Sequence, residues 1–207
     1  MQIEIWSDVI CPWCYIGKRR FEMALANFTR RKGVSVIWRS FELDPNSPLQ
    51  YPDTLEEMLA HKYGVSTQQA AAMNARVTAL AKEVGLEFRL KNARPGNTFN
   101  AHRLLHFAAM QQLGDRAAER IMHAYFSESL PVGDRAALAR LAPEFGITEN
   151  EVLAMLESTK YSDEVHADEL RAAELSITGV PFFLFNEKLS VSGAQPVEVF
   201  AEVLQQA

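Results

Sequence analysis

Two cysteines, Cys11 and Cys14, are the residues of this chain whose types and spacing most clearly support chemistry. They lie where a strand-like segment changes to a helix-like one. At the first turn of a helix, free N–H groups and the helix dipole stabilise negative charge, which lowers the pKa of the first cysteine. Cys11 is therefore predicted to be an exposed thiolate nucleophile. Cys14, three positions further on the same helix face, is predicted to form a disulfide with it and to resolve mixed disulfides.

The two residues between the cysteines suit this interpretation. Pro12 is tolerated early in a helix because its missing N–H would be unpaired there anyway. Trp13 is predicted to shield the sulfurs or to provide an apolar contact for a partner chain.

Two other interpretations of the cysteines remain open. They could be buried and inert, because free cysteine packs like a small hydrophobe. They could also be half of a structural zinc site, which would need two further ligands. There is no second CxxC, and His102 and His106 follow far outside zinc-finger spacing. We therefore expect no metal site and predict that these two histidines are ordinary helix residues.

The first fifty residues follow a strand–helix–strand pattern. Residues 2–6 alternate apolar and polar side chains, residues 12–31 carry apolar side chains at helical spacing, and residues 34–43 are rich in β-branched and aromatic types. This order predicts two parallel strands joined by a right-handed crossover.

Residues 54–175 are almost wholly helical in pattern, and we predict about six helices there, with residues 86–90 as a candidate extended segment. Capping boxes, in which two side chains satisfy free backbone N–H groups reciprocally, are predicted at three positions. These pairs are Thr54 with Glu57, Ser66 with Gln69, and Thr148 with Glu151. Thr98 and Asp115 are further candidates for helix N-caps.

The end of the chain predicts a hairpin and a helix. Residues 182–185 and 189–192 read as paired strands joined by a tight turn, and Pro196 is well placed to begin a helix through about residue 205. The whole order is βαβ, helical block, ββα. We therefore predict an α/β fold in which residues 1–50 and 176–207 form one discontinuous domain and residues 51–175 form an inserted all-helical domain.

Composition excludes several classes of partner. The chain has 207 residues, with 21 basic and 26 acidic side chains and a net charge of −5. This balance argues against nucleic acid as a partner.

No apolar run is long enough to span a bilayer, so no membrane association is expected. The N-terminus shows no export signal, so a cytoplasmic location is expected. Oligomeric state is open between monomer and homodimer.

The segment Thr178-Gly179-Val180-Pro181 lies directly before a strongly apolar strand. By itself it is consistent with an ordinary trans turn. Together with the N-terminal CxxC, it resembles the thioredoxin fold, in which a cis-proline loop lies against the CxxC and pairs its backbone with an incoming peptide. The helical insertion further resembles the DsbA-like branch of that superfamily.

Within this branch the chain most resembles the cytoplasmic FrnE-type DsbA oxidoreductases. Four segments along the chain carry the resemblance: SDVICPWCYIG at residues 7–17, NTFNAHRL at 97–104, GVPFF at 179–183 and SGAQP at 192–196. The resemblance implies that Cys11 is the nucleophile, Cys14 is the resolving thiol and Val180-Pro181 is the substrate-facing loop. It further implies that Asn97 and Thr98 lie near the cleft, and that thiol or disulfide compounds, proteins or small molecules, are the substrates.

The same superfamily suggests an enzymatic alternative. The 2-hydroxychromene-2-carboxylate isomerases and kappa-class glutathione transferases typically carry serine where this chain has Cys11, and kappa enzymes usually show an Asp-Arg type pair where this chain has Gln195-Pro196. Both departures weaken the prediction of a glutathione-dependent isomerase or transferase activity. Glutathione remains a candidate redox co-substrate, and no other cofactor is expected. A chaperone-like binding protein is the non-enzymatic alternative.

Overall fold

The computed structural model describes residues 1–207 and contains one four-stranded mixed sheet. The strand order is β2-β1-β3-β4, where β1 is Gln2–Ser7, β2 is Ser35–Ser40, β3 is Phe182–Phe185 and β4 is Leu189–Ser192. β1 pairs parallel with β2 and antiparallel with β3, and β3 pairs antiparallel with β4. All but the first residue of β1 are buried, as befits an inner strand. The predicted α/β fold, with its βαβ and ββα portions, is confirmed.

Nine α-helices accompany the sheet. In chain order they are α1 Pro12–Ala26, α2 Leu55–Tyr63, α3 Thr67–Glu83, α4 Phe99–Met110, α5 Gly114–Glu128, α6 Arg135–Leu141, α7 Glu149–Glu157, α8 Ser162–Glu174 and α9 Val197–Gln206. Seven of them lie between β2 and β3, one more than predicted. All three predicted capping boxes are present, at the starts of α2, α3 and α7. None of the helices combines the length and apolar character that a bilayer-spanning helix needs.

Several predicted boundaries were wrong. α1 ends at Ala26, because the following residues, including a short 3₁₀ turn at Arg31–Gly33, turn the chain back toward β2. β2 is confined to its six residues that pair with β1. Residues 86–90 form no strand: the N–H of Arg89 donates to the carbonyl of Phe126 at 2.7 Å, and the hydroxyl of Ser127 donates to the carbonyl of Glu87 at 2.7 Å. This segment is therefore anchored to the end of α5.

The two N-cap candidates also differ from expectation. Thr98 occupies the N-cap position of α4, but its side chain makes no capping hydrogen bond; the side-chain oxygen of Asn97 instead accepts the N–H of Phe99 at 3.0 Å. Asp115 lies inside the first turn of α5, whose N-cap residue is Leu113. The N–H of Ala117 already donates to the carbonyl of Leu113 at 2.9 Å, so the helix begins before Asp115.

α1 contributes to two hydrophobic cores, and this fixes the position of its N-terminus. Phe21 and Ala24 pack in a ten-residue cluster with the sheet and α9. Cys14, Tyr15 and Ile16 belong instead to a 33-residue cluster formed largely by the helical block. The first turn of α1, which carries the cysteines, therefore lies where the sheet and the helical block meet.

Ion pairs further attach α1 to α5. The buried ammonium of Lys18 lies 2.7 Å from a carboxylate oxygen of Glu119 and also pairs with Glu22, while Arg19 lies 2.6 Å from Glu119. Burial, the largest single cause, would raise the pKa of Glu119, but the charge and hydrogen bond of Lys18 and the hydrogen bonds from Tyr15 and Arg19 together outweigh it and lower the pKa to about 2. The carboxylate therefore stays charged, and the contact between the two helices persists, well into the acidic range.

Candidate active site

Cys11 is the N-cap residue of α1, and Cys14 lies one turn into the helix. The backbone of Cys11 is extended, with φ −83° and ψ 114°. Its carbonyl accepts the N–H of Cys14 at 3.0 Å, and its own N–H donates to the carbonyl of Asp8 at 3.1 Å. Both cysteines are free thiols in this structure. This arrangement places the first sulfur beside the positive end of the helix dipole, as the spacing predicts.

The prediction that Cys11 is exposed was wrong, since only 4% of the residue is accessible to solvent. Its sulfur lies 3.7 Å from the carbonyl oxygen of Val180, which accepts its S–H. Trp13, by contrast, is 44% exposed and is the part of the CPWC turn that reaches the surface. The loop before β3 covers the sulfur, a long-range contact that helix geometry alone does not predict.

Cys14 is fully enclosed, with 1% of the residue accessible. Burial raises the pKa of its thiol well above the usual value, and the neighbouring Cys11 raises it further through hydrogen bonding and charge. The Ser7 hydroxyl and the Asp8 backbone oppose this shift without reversing it. Cys14 therefore remains a protonated thiol at neutral pH, which suits a thiol that acts second.

Val180 and Pro181 lie against the cysteines although 169 residues separate Val180 from Cys11 in sequence. The peptide bond between Val180 and Pro181 is cis. The carbonyl of Pro181 accepts the N–H of Gly193 at 2.8 Å, which joins this loop to the end of β4. The structure thus brings together the two segments that the sequence singled out.

Gly17 allows α1 to approach Pro181 closely. A Cβ placed on Gly17 would lie 2.9 Å from Cγ of Pro181, closer than normal van der Waals contact. The proline ring is rigid, so either the loop or the helix must move. We expect Gly17→Ala to lower the free energy of unfolding by about 1–3 kcal/mol, despite the better helix propensity of alanine.

Urea unfolding of the unsubstituted protein and of Gly17→Ala measures the change in the free energy of unfolding. Gly33→Ala is the matched control, because a Cβ at Gly33 meets nothing within 4 Å. The control is expected to stay within about 0.5 kcal/mol of the unsubstituted protein. Equal stability of the two alanine variants would contradict a close packing role for Gly17.

Asn97 and Thr98 make no hydrogen bond to either cysteine. The side-chain amide of Asn97 donates to the carboxylate of Glu42 and to the carbonyl of Pro45, both at 3.3 Å. Thr98 is buried at the start of α4. Neither side chain lines the cavity beside Cys11 described below. The contacts of Asn97 brace the loop that follows β2.

Sequence reasoning missed a buried charged cluster behind the CPWC turn. His102 Nε2 lies 3.5 Å from Oδ1 of Asp8, and both side chains are almost completely buried. Asp8 Oδ2 also accepts the N–H of Leu43 at 2.8 Å. Burial, the largest single cause, lowers the pKa of His102, but Asp8 together with the charges of Glu42 and Glu169 outweighs it and the net shift is upward. Burial raises the pKa of Glu42, a further member of the cluster, to about 7.

His102 and His106 both lie on α4, as predicted, but each has a buried acidic partner that the sequence did not indicate. His106 Nε2 lies 3.1 Å from the buried carboxylate of Asp168 and 3.1 Å from the hydroxyl of Ser40. The available signal was the i, i+4 spacing of the histidines, which places both on the same face of α4. No group of three or more histidine, cysteine, aspartate or glutamate side chains is arranged to hold a metal ion, so the cysteines lack the ligands that zinc requires.

A cavity of about 340 Å³ opens beside the CPWC turn. Cys11, Pro12, Trp13 and Val180 all contribute to its lining. Its opposite wall comes from α2, α3 and α5 and from the loop that follows β2. Four of the candidate site residues thus line one space, where a molecule could contact them together.

Comparisons with solved structures agree with this architecture. A crystal structure of a probable DsbA oxidoreductase from Streptomyces coelicolor is 44% identical, with a TM-score of 0.95 over 100% of this chain and 89% of that chain. A 2-hydroxychromene-2-carboxylate isomerase is 12% identical, with a TM-score of 0.75 over 100% of this chain and 95% of its own. The cytosolic disulfide reductase DsbM from Pseudomonas aeruginosa is 17% identical, with a TM-score of 0.68 over 100% of this chain and 98% of that chain. At such low identity the last two show the fold alone.

Sequence comparisons agree as well. The uncharacterised protein YwbO from Bacillus subtilis is 30% identical over 207 residues, which covers 99% of this chain and 96% of that protein. The family model of the DSBA-like thioredoxin domain matches residues 2–205. Together with the sheet order and the CPWC turn at the start of α1, this match identifies the chain as a member of the DsbA-like thioredoxin family.

Proposed function

We propose that the protein is a thiol–disulfide oxidoreductase of the FrnE type that exchanges disulfides through Cys11 and Cys14. The contact between the Cys11 sulfur and the Val180 carbonyl carries this proposal. One thiol lies at a helix N-terminus beside a backbone loop that we expect to pair with substrate, while the second thiol lies buried one turn away. The chain-long sequence motifs support the FrnE assignment.

In the proposed reaction the Cys11 thiolate attacks one sulfur of a substrate disulfide. The substrate S–S bond breaks, the other substrate sulfur leaves as a thiolate and takes up a proton, and a mixed disulfide forms on Cys11. Cys14 then loses its proton and attacks the Cys11 sulfur, which forms the Cys11–Cys14 disulfide and releases the second substrate thiol. An external thiol, glutathione included, returns the two electrons by the reverse sequence.

The surrounding residues have supporting roles in this proposal. The backbone of Val180 and Pro181 pairs with the substrate, while Pro12 and Trp13 contact its apolar part. Asn97 acts as a positioning residue through the loop that follows β2, and Thr98 does so as the residue that begins α4. We infer a cytoplasmic setting, in which a reducing environment keeps the dithiol as the resting form.

Reduction of insulin in the presence of dithiothreitol tests the proposal. The unsubstituted protein is expected to accelerate insulin precipitation, and Cys11→Ser is expected to return the rate to the uncatalysed background. Met23→Ser, a substitution at an exposed position on the same helix, is the matched control and should retain full activity. Full activity of Cys11→Ser would rule out the proposed nucleophile.

A further inference from the structure

The cavity beside Cys11 is mainly apolar. Fifteen of its 23 lining residues are hydrophobic. Pockets that bind small organic ligands usually measure roughly 300–1,000 Å³ and have mostly apolar walls with a few polar groups. At about 340 Å³, this cavity matches the lower end of that range. Its size and lining therefore suit one small organic group.

The charges around the cavity favour an uncharged occupant. Asp44 and Lys62 are the only charged residues among the lining. The Asp44 carboxylate accepts a hydrogen bond from the hydroxyl of Tyr51 at 3.2 Å, and Lys62 is exposed to solvent. Lys62 is the only cationic side chain of the lining, so a second carboxylate of an occupant would lose its hydration without a cationic partner. A tripeptide thiol such as glutathione, with two carboxylates and an ammonium, is therefore poorly matched to this space.

Access to the sulfur favours a small molecule over a folded protein. Cys11 is almost entirely buried, and the loop carbonyl of Val180 covers part of its sulfur. Because Cys11 lines the cavity, a group inside the cavity lies beside the residue without movement of the chain. A disulfide of a folded protein is too large to enter this volume and must reach Cys11 from outside the cavity.

The side-chain types on the walls suggest an aromatic occupant. Tyr51, Tyr125 and Phe126 present aromatic rings, and Met58 and Met73 present thioethers. Aromatic rings attract one another in offset or edge-to-face arrangements, and a thioether sulfur makes favourable contacts with a ring edge. These are the contacts that a small aromatic group would make.

We propose that this cavity binds the aromatic group of a small, uncharged organic disulfide and so delivers its sulfur to Cys11. The inference rests on the proposed oxidoreductase function and names its substrate class. Cys11 attacks the sulfur that carries the aromatic group, the S–S bond breaks, and the other sulfur leaves as a thiolate that is protonated by solvent. Cys14 then displaces the aromatic thiol, and an external dithiol returns two electrons to the enzyme.

The test uses Cys14→Ser and two mixed disulfides of 2-thiopyridine, one with 2-phenylethanethiol and one with glutathione. Both release the same leaving group, which absorbance detects, so leaving-group chemistry is constant. Each rate constant is divided by that of free N-acetylcysteine with the same probe. We expect the phenylethyl probe to be preferred by about tenfold or more after this normalisation. An equal ratio, or a preference for the glutathione probe, would overturn the inference.

Variants in the Cys14→Ser background locate the preference. Met58→Lys places a charge on the cavity wall and is expected to reduce the preference to near unity while the glutathione probe still reacts. Met110→Lys changes an exposed methionine outside the cavity lining and is expected to retain the preference for the phenylethyl probe. If Met58→Lys does not fold, Met58→Gln, which is uncharged and of similar length, replaces it. Met58→Gln is expected to lower the preference for the phenylethyl probe by a smaller factor than Met58→Lys. A preference unchanged at Met58 would overturn the assignment to this cavity.

The outcomes separate the two proposals. If Cys11 reacts with both probes at equal normalised rates, the oxidoreductase proposal stands and the cavity inference fails. If Cys11 reacts with neither probe and the protein does not reduce insulin, both fail.

Discussion

Replacement of Cys14 by serine is expected to stop the catalytic cycle at the mixed disulfide. The first step, attack by Cys11, does not require a second thiol, so the Cys14→Ser protein should retain substrate covalently on Cys11. Turnover with dithiothreitol should fall by about a hundredfold or more, because release then depends on external thiol. Mass spectrometry under non-reducing conditions should detect one adduct per chain that dithiothreitol removes.

The burial of the two thiols is the physical reason for this asymmetry. Cys14 is enclosed in the core and its thiol pKa is raised, so it is a poor initial nucleophile. Cys11 lines the cavity and lies at the helix N-terminus. Cys11→Ser should accordingly form no adduct. Undiminished turnover of Cys14→Ser with glutathione would instead indicate the monothiol, glutathione-dependent chemistry suggested by the serine-bearing relatives.

Replacement of Asp8 by asparagine is expected to destabilise the fold most strongly at mildly acidic pH. Asparagine retains a side-chain oxygen that can accept the N–H of Leu43, so the substitution mainly removes the negative charge beside His102. Loss of one member of a buried ion pair leaves the other charge unpaired. We expect the free energy of unfolding to fall by about 2–4 kcal/mol near pH 5.5.

The pKa of His102 determines the pH dependence. In the native protein this pKa is raised, so protonated His102 contributes stability that is fully present below about pH 6.5 and is lost as the pH rises through the folded pKa. Without the Asp8 charge, the largest upward contributions are lost and the pKa of His102 falls, although the charges of Glu42 and Glu169 still raise it. The difference between the two proteins should therefore be largest below about pH 6 and decrease toward pH 9.

Urea unfolding at several pH values measures this difference. Asp134→Asn is a suitable control, since Asp134 is an exposed helix N-cap whose backbone contacts asparagine can reproduce. The control should show a nearly pH-independent effect of a few tenths of a kcal/mol. A destabilisation by Asp8→Asn that is equal at pH 5.5 and pH 9 would contradict the proposed charge pairing with His102.

The elements most accurately predicted from the sequence are those specified by neighbouring residues. Both strands of the terminal hairpin, residues 182–185 and 189–192, were correct to the residue, because a short apolar run and the turn residues after it act over a few positions. The capping boxes were correct for the same reason, since each depends on a pair three residues apart. The ends of α1 and β2 were wrong because apolar periodicity continues past the point where the chain leaves the helix or the sheet.

For the site, the sequence by itself determined the CPWC turn at the start of a helix and the apolar strand preceded by Val180-Pro181. Only the tertiary structure decided that the Val180 carbonyl covers Cys11, that Asp8 faces His102, and that α2 and α3 close an apolar cavity over the thiol. Burial, pKa and cavity shape depend on contacts between residues far apart in the chain, and a local pattern carries no information about them. The dithiol could therefore be predicted from the sequence. The burial of Cys11 and the apolar cavity beside it could not.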